Sequence, residues 1–281
     1  MGLKTPLYLD ADTLSALAEY NCIEVSTIQE VVETHRKIRE AGLKAAASSL
    51  GAHFSRTRGV ETQRSYSVTP GQKAAVRRTI DRLHEEDALL TFAPGEREPE
   101  KDDALELEGN LVLTPTSMVG KVFYYLHAYL GQDDSAMDAL ARSAVLPDES
   151  VMALLKDAYF SADLPPVPLL MELQNPRFES RVFVSLRHSG FVDVAEASHI
   201  AGSHRVLGQV SDLVDGDEDG YLSAERWLLH GWDPLMVRLM MAQMTGTVQT
   251  LVAQLGLDLP ASDVQEYIQG PAVVLDAVAV Y

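Results

Sequence analysis

The 281 residues are 46% hydrophobic and 23% charged, with a net charge of −18 and a single cysteine, Cys22. That apolar content supports a packed core, and the length suits one large domain or two ordinary ones. One cysteine excludes an internal disulfide and a cysteine-built zinc site, and the acidic balance argues against generic nucleic-acid binding by the whole molecule. No stretch reads as a leader or a membrane span. The most apolar helix candidate, Leu235–Leu255, is interrupted by Arg238, Gln243, Gln249 and Gln254, whereas a span needs about 20 mostly apolar residues. The expectation is a cytoplasmic protein with no membrane contact.

The charge is unevenly spread. Residues His35–Arg82 hold eleven basic side chains against three acids, a net +8, while the remainder carries twelve against 38, a net −26. Such segregation lets a basic stretch meet a polyanion or an acidic surface, provided its charges share a face.

In chain order, Leu7–Leu9 reads as a short strand and Ala11–Tyr20 as a helix capped by Asp10 or Asp12. Strand and helix compete over Ile23–Val32, alanines favour helix over Arg36–Ala47, and the polar run Ser48–Gly71 reads as a mobile loop. Thr69-Pro70 starts a helix whose Val76, Ile80 and Leu83 form one buried stripe. After a charged break at Pro94–Ala104, Leu105–Leu113 reads as a strand and Thr114–Leu130 as a helix, with further helices expected at Ser135–Leu146 and Asp148–Phe160. A proline-rich turn follows at Leu164–Pro168. Arg181–Arg187 then alternates as a strand, with Ser189-Gly190 as a hairpin turn into Phe191–Ala195. Val206–Val214 and Tyr221–Leu229 fit strand or helix. Asp233-Pro234 opens a long helix to Leu255, stopped by Gly256, and Ser262 with Gln265 has capping-box spacing for a short last one. Ala272–Tyr281 reads as a buried C-terminal strand. The expected class is α+β, a mixed sheet with interspersed helices. It divides into an N-terminal region 1–104, holding the basic loop and helix (35–82), and a body 105–281, or forms one continuous domain closed by its two termini.

Three patterns carry candidate chemistry. Asp215, Asp217 and Asp219 alternate before Gly220, as ligands do in the first half of a helix–loop–helix calcium loop. The position that should supply a bidentate glutamate is Arg226, however, and an acidic turn without an ion accounts for the same residues. The helix from Thr69 carries Lys73, Arg77, Arg78 and Arg82, and with Leu89-Leu90 and the charged turn after it resembles the recognition helix and wing of a winged-helix fold. A solvated basic face that pairs with a protein is the alternative. His188, His199 and His204 lie near Asp193 and Glu196 without the spacing of a standard metal site. Met236, Met240, Met241 and Met244 fall at helical spacing and read as core. No phosphate-binding glycine loop, dinucleotide fingerprint or nucleophile elbow is present, so no catalytic residue is assigned.

Pro6-Leu7-Tyr8-Leu9-Asp10, Val206-Leu207-Gly208-Gln209-Val210, and Gly270–Val274 with Val280-Tyr281 together resemble an uncharacterised bacterial family catalogued as a domain of unknown function. The resemblance implies a bacterial cytosolic α+β protein, with a phage-defence role suggested only by association. The functional expectation is a non-catalytic binding or regulatory protein acting through Lys73, Arg77, Arg78 and Arg82 on a protein partner. A winged-helix-like nucleic-acid regulator and a calcium module on Asp215, Asp217 and Asp219 are the alternatives. No cofactor other than calcium enters the expectation.

Overall fold

The computed structural model describes residues 6–23, 70–92, 97–130, 153, 155–157, 167–192, 199–216, 220–255 and 266–281. Their elements run β1 (Tyr8–Leu9), α1 (Ala11–Tyr20), α2 (Pro70–Glu85), β2 (Ala104–Leu113), α3 (Pro115–Leu130), β3 (Leu169–Gln174), β4 (Arg181–Leu186), β5 (Gly202–Val214), β6 (Tyr221–Ser223), α4 (Glu225–Leu228), α5 (Pro234–Ala242), α6 (Met244–Leu255), β7 (Tyr267–Gln269) and β8 (Ala272–Val280). This is an α+β fold with a mixed sheet. Strand order is β1-β8-β4-β3-β2-β5, and β8 also pairs with β5, so five strands close into a barrel-like ring. Closure removes free edges from β8, β4, β3, β2 and β5. β6 and β7 form a separate antiparallel pair, Leu222 opposite Ile268.

Local chemistry accounts for several boundaries. Asp10 caps α1 by accepting from the Thr13 N–H at 3.2 Å, and Asp233 caps α5 by accepting from the Leu235 N–H at 2.8 Å. β8 is buried along nearly its whole length, as its apolar run implies. Val76, Ile80 and Leu83 are 4%, 2% and 0% exposed, so the α2 stripe is a core face. Pro70 and Gly71, placed at the end of the polar loop by sequence, belong to the first turn of α2. The helices expected over 36–47 and 135–146, the competing segment beyond Ile23, the rest of the loop at 48–69 and the capping box at 262–265 lie outside the described residues.

Two expectations change, and one strand was not expected. Leu169–Gln174 is a strand that alternation does not reveal, since four of its first five residues are buried and both faces are used. Ser189-Gly190 makes no hairpin. Residues His188–Gly190 form a 3-10 turn, and Phe191 bridges antiparallel to Tyr8. Gly190 serves close packing there, because a Cβ would meet the Tyr8 ring at 2.4 Å. The long helix from Pro234 is two helices, broken at Gln243, whose backbone (φ −120°, ψ 9°) has left the helical region. Thr245-Gly246-Thr247-Val248 directly after the break is a run of weak helix formers.

The chain forms two compact units, Met1–Gly109 with Ser189–Ser211 and Asp276–Tyr281, and Asn110–His188 with Asp212–Leu275. Strands β2, β5 and β8 therefore contribute residues to both. The first unit has its core in Leu9, Leu14 and Leu17 of the N-terminal elements, Val76, Ile80 and Leu83 of α2, and Leu207, Val278 and Ala279 of the sheet. The second packs Val122, Phe123 and Leu126 of α3 against Trp227, Leu228 and Trp232, with Met240, Met244 and Val248 of α5 and α6. Met240 and Met244 are core residues, as their spacing implies, and Met236 and Met241 pack partly against them.

Candidate functional site

Helix α2 presents the arginines that sequence singles out. Its apolar stripe faces the first unit's core, which turns Arg77, Arg78 and Arg82 to solvent. Lys73 lies within α2, and its side chain is outside the described residues. The exposed side is not uniformly basic. Asp81, Glu85 and Glu86 alternate with the three arginines, Arg77 Nε lies 3.5 Å from Asp81 Oδ2, and Arg82 Nη1 donates to Glu85 Oε2 at 3.0 Å. Both pairs are more than half exposed at each partner, and such pairs contribute little to stability. They are readily exchanged for pairs with another surface.

Among the described residues after α2, the pairing is not that of an antiparallel wing hairpin. Leu90 bridges Leu105 of β2 in parallel. The charged segment before β2 is tied down instead by Arg97, whose Nη1 and Nη2 donate to Asp103 Oδ2 and Oδ1 at 2.6 and 2.7 Å. The Glu100 N–H also donates to Asp103 Oδ2 at 2.7 Å. The Arg97 hydrogen bond holds the Asp103 carboxyl below its ordinary range; burial opposes it, and the Glu100 N–H adds to the lowering.

At the C-terminal end of α2 the fold assembles a polar cluster that sequence reasoning misses. Glu106 of β2 is 7% exposed at its side chain. Its Oε2 lies 2.7 Å from Nε2 of His84 in the last turn of α2, and 3.9 Å from Nη1 of Arg205 on β5. Its Oε1 accepts the Tyr281 hydroxyl, just beyond β8. Burial, and then the Glu106 carboxylate, push the Tyr281 phenol well above its ordinary pKa, so it stays a neutral donor. Arg205 also reaches Glu108 at 3.5 Å. Four elements thus converge on one buried carboxylate whose partners are up to 175 residues away in sequence. The available signal was Glu106 itself, a charged residue between Leu105 and Leu107 in a strand whose first four residues are all buried.

The Asp-rich segment follows a strand, β5, and leads into β6 and the four-residue helix α4. A helix–loop–helix frame is therefore not what surrounds it. Asp215 is exposed, with its carbonyl against Gly270, where a Cβ would fall 1.7 Å from the oxygen. Asp217 and Asp219 lie outside the described residues. Among the described residues no group of three or more His, Cys, Asp or Glu is arranged to hold a metal ion. Asp193 and Glu196 also lie outside them. His188 is half-buried, its Nδ1 finds no partner among the described residues, and burial lowers its pKa. No described helix is long and apolar enough to cross a membrane.

No family model, no curated protein and no solved structure matches the chain.

Proposed function

We propose that this chain is a non-catalytic binding or regulatory protein of the bacterial cytosol that engages a protein partner through the exposed face of α2. The observation that carries this reading is the composition of that face: Arg77, Arg78 and Arg82 interleaved with Asp81, Glu85 and Glu86 on a helix whose other side is anchored by Val76, Ile80 and Leu83. Mixed charge on a rigid element suits a protein surface with its own alternating charges, where electrostatic fit sets register and partner choice. A phosphate backbone needs unopposed cations, and here each sign offsets the other. The parallel Leu90–Leu105 bridge also speaks against a winged-helix hairpin at that point.

The test is a triple reversal, Arg77→Glu, Arg78→Glu and Arg82→Glu, followed by affinity purification from the native cell. The reading expects loss of the enriched partner with an unchanged melting temperature, since none of the three arginines is buried. An identical partner list overturns it. Salt-sensitive retention of the wild type on a nucleic-acid column, lost in the triple variant, would favour the nucleic-acid reading instead.

A further inference from the structure

We propose that the β6–β7 ribbon is a docking site for an extended cationic peptide, which adds along the ribbon's edge and sets an arginine or lysine between Tyr221 and Tyr267. The surface lies wholly within the second unit and does not depend on α2. Leu222 and Ile268 stand opposite each other and pack into that unit's core, Ile268 fully buried. Alternation along each strand then turns Tyr221 and Ser223 of β6, and Tyr267 and Gln269 of β7, to the other face. Tyr221 is 63% exposed and Tyr267 40%. A single exposed ring is common. Two in contact, on a strand pair anchored from behind, form a surface. The Ala224 N–H donates to the Glu266 carbonyl and the Gly270 N–H to the Gly220 carbonyl, so Gly220, Leu222 and Ala224 hold the hydrogen-bonded positions of this ladder. The main-chain groups of Tyr221, Ser223, Tyr267 and Gln269 therefore point away from the partner strand. No third described strand pairs with either edge, and such an edge accepts an added strand.

Charge selects the occupant. The stretch Asp212–Leu275 carries ten acidic residues against two basic ones, a net −8. Asp215 before β6 and Glu225 after it are exposed, and Glu266 directly precedes Tyr267, its Oε1 accepting the Thr245 hydroxyl at 2.5 Å. Arg226, the basic residue nearest β6 in sequence, has its guanidinium over the Trp227 ring, 4.0 Å from the centroid. A second copy of the chain would bring the same negative charge to the edge, and a polyanion is repelled for the same reason. A cationic strand is drawn in. The rings agree with that choice. Their centroids lie 5.0 Å apart with the planes at 77°, which makes a corner rather than a flat stacking platform. A guanidinium or ammonium seated in that corner meets the negative face of a ring.

Fluorescence anisotropy of a labelled peptide alternating arginine and threonine, titrated with the full chain, tests the site. Alternation puts its arginines on one face of an added strand. The peptide should bind, and its glutamate counterpart should not. Tyr221→Thr combined with Tyr267→Thr keeps the charge and the strand propensity. It should weaken binding about five- to thirty-fold, the loss of two exposed cation–π contacts. A peptide with prolines in place of the threonines lacks the N–H groups for pairing and should also bind more weakly. No binding by wild type, or equal binding of the glutamate peptide, overturns the proposal. So does equal binding by the double variant, because bulk negative charge alone would then hold the peptide. Should the double variant fail to fold, the proline peptide on wild type carries the test, and its equal binding overturns the strand addition.

Discussion

Gly120, in the interior of α3, shows how a single methyl group decides a packing. At an exposed helix site, glycine to alanine ordinarily stabilises by about 0.5–1 kcal/mol. Here a Cβ would lie 2.1 Å from the Trp227 carbonyl oxygen and 3.1 Å from its carbon. Both are backbone atoms at the short helix α4, held by the buried Trp227 and Leu228, so neither can rotate away. The Trp227 indole is itself fixed, donating to the Ser185 hydroxyl at 3.3 Å. The steric term wins. Gly120→Ala should destabilise by roughly 2 kcal/mol or more, within the range of overpacked cores, and urea unfolding measures it. A stabilised or neutral variant would mean that α3 and α4 do not meet as closely as the structure has it.

Among elements, sequence was most informative where one face is wet. α1 and α2 alternate buried and exposed positions at the helical period, and their boundaries follow from Asp10 and Pro70. It was least informative where both faces are covered. Leu169-Leu-Met-Glu-Leu-Gln174 is rich in residues that favour helices, and burial on both sides leaves no period of two. The Glu106 cluster was illegible for another reason. His84, Arg205 and Tyr281 meet it only after α2, β5 and β8 are placed, and no local spacing encodes that meeting. The Asp233-Pro234 start was legible and is testable. Asp233 is exposed, so its substitution touches only the cap. Asp233→Ala should cost about 1 kcal/mol, and Asp233→Asn, which keeps the acceptor, should cost much less. Thermal unfolding of the pair measures both, and equal losses would locate the effect in the charge rather than the cap.

For the whole molecule, acidification removes stability at separate sites. The His188 pKa is lowered by burial, and burial lowers that of His230 as well. A histidine with a depressed folded pKa contributes stability that is present above its unfolded value, about 6.5, and is lost as pH falls through the folded one. Asp103 acts in the same direction at lower pH. Its carboxyl is held down by Arg97, so its contribution is present above about 3.9 and lost below. Mild acid should therefore loosen the surroundings of His188. His188→Phe removes the titrating ring, with a buried Nδ1 that finds no partner among the described residues, and keeps an aromatic of similar shape. It should flatten the fall in melting temperature between pH 7 and 5.5. Melting scans across that range measure the effect. A variant whose acid limb matches wild type would place the lability elsewhere, with His230 the next ring to replace.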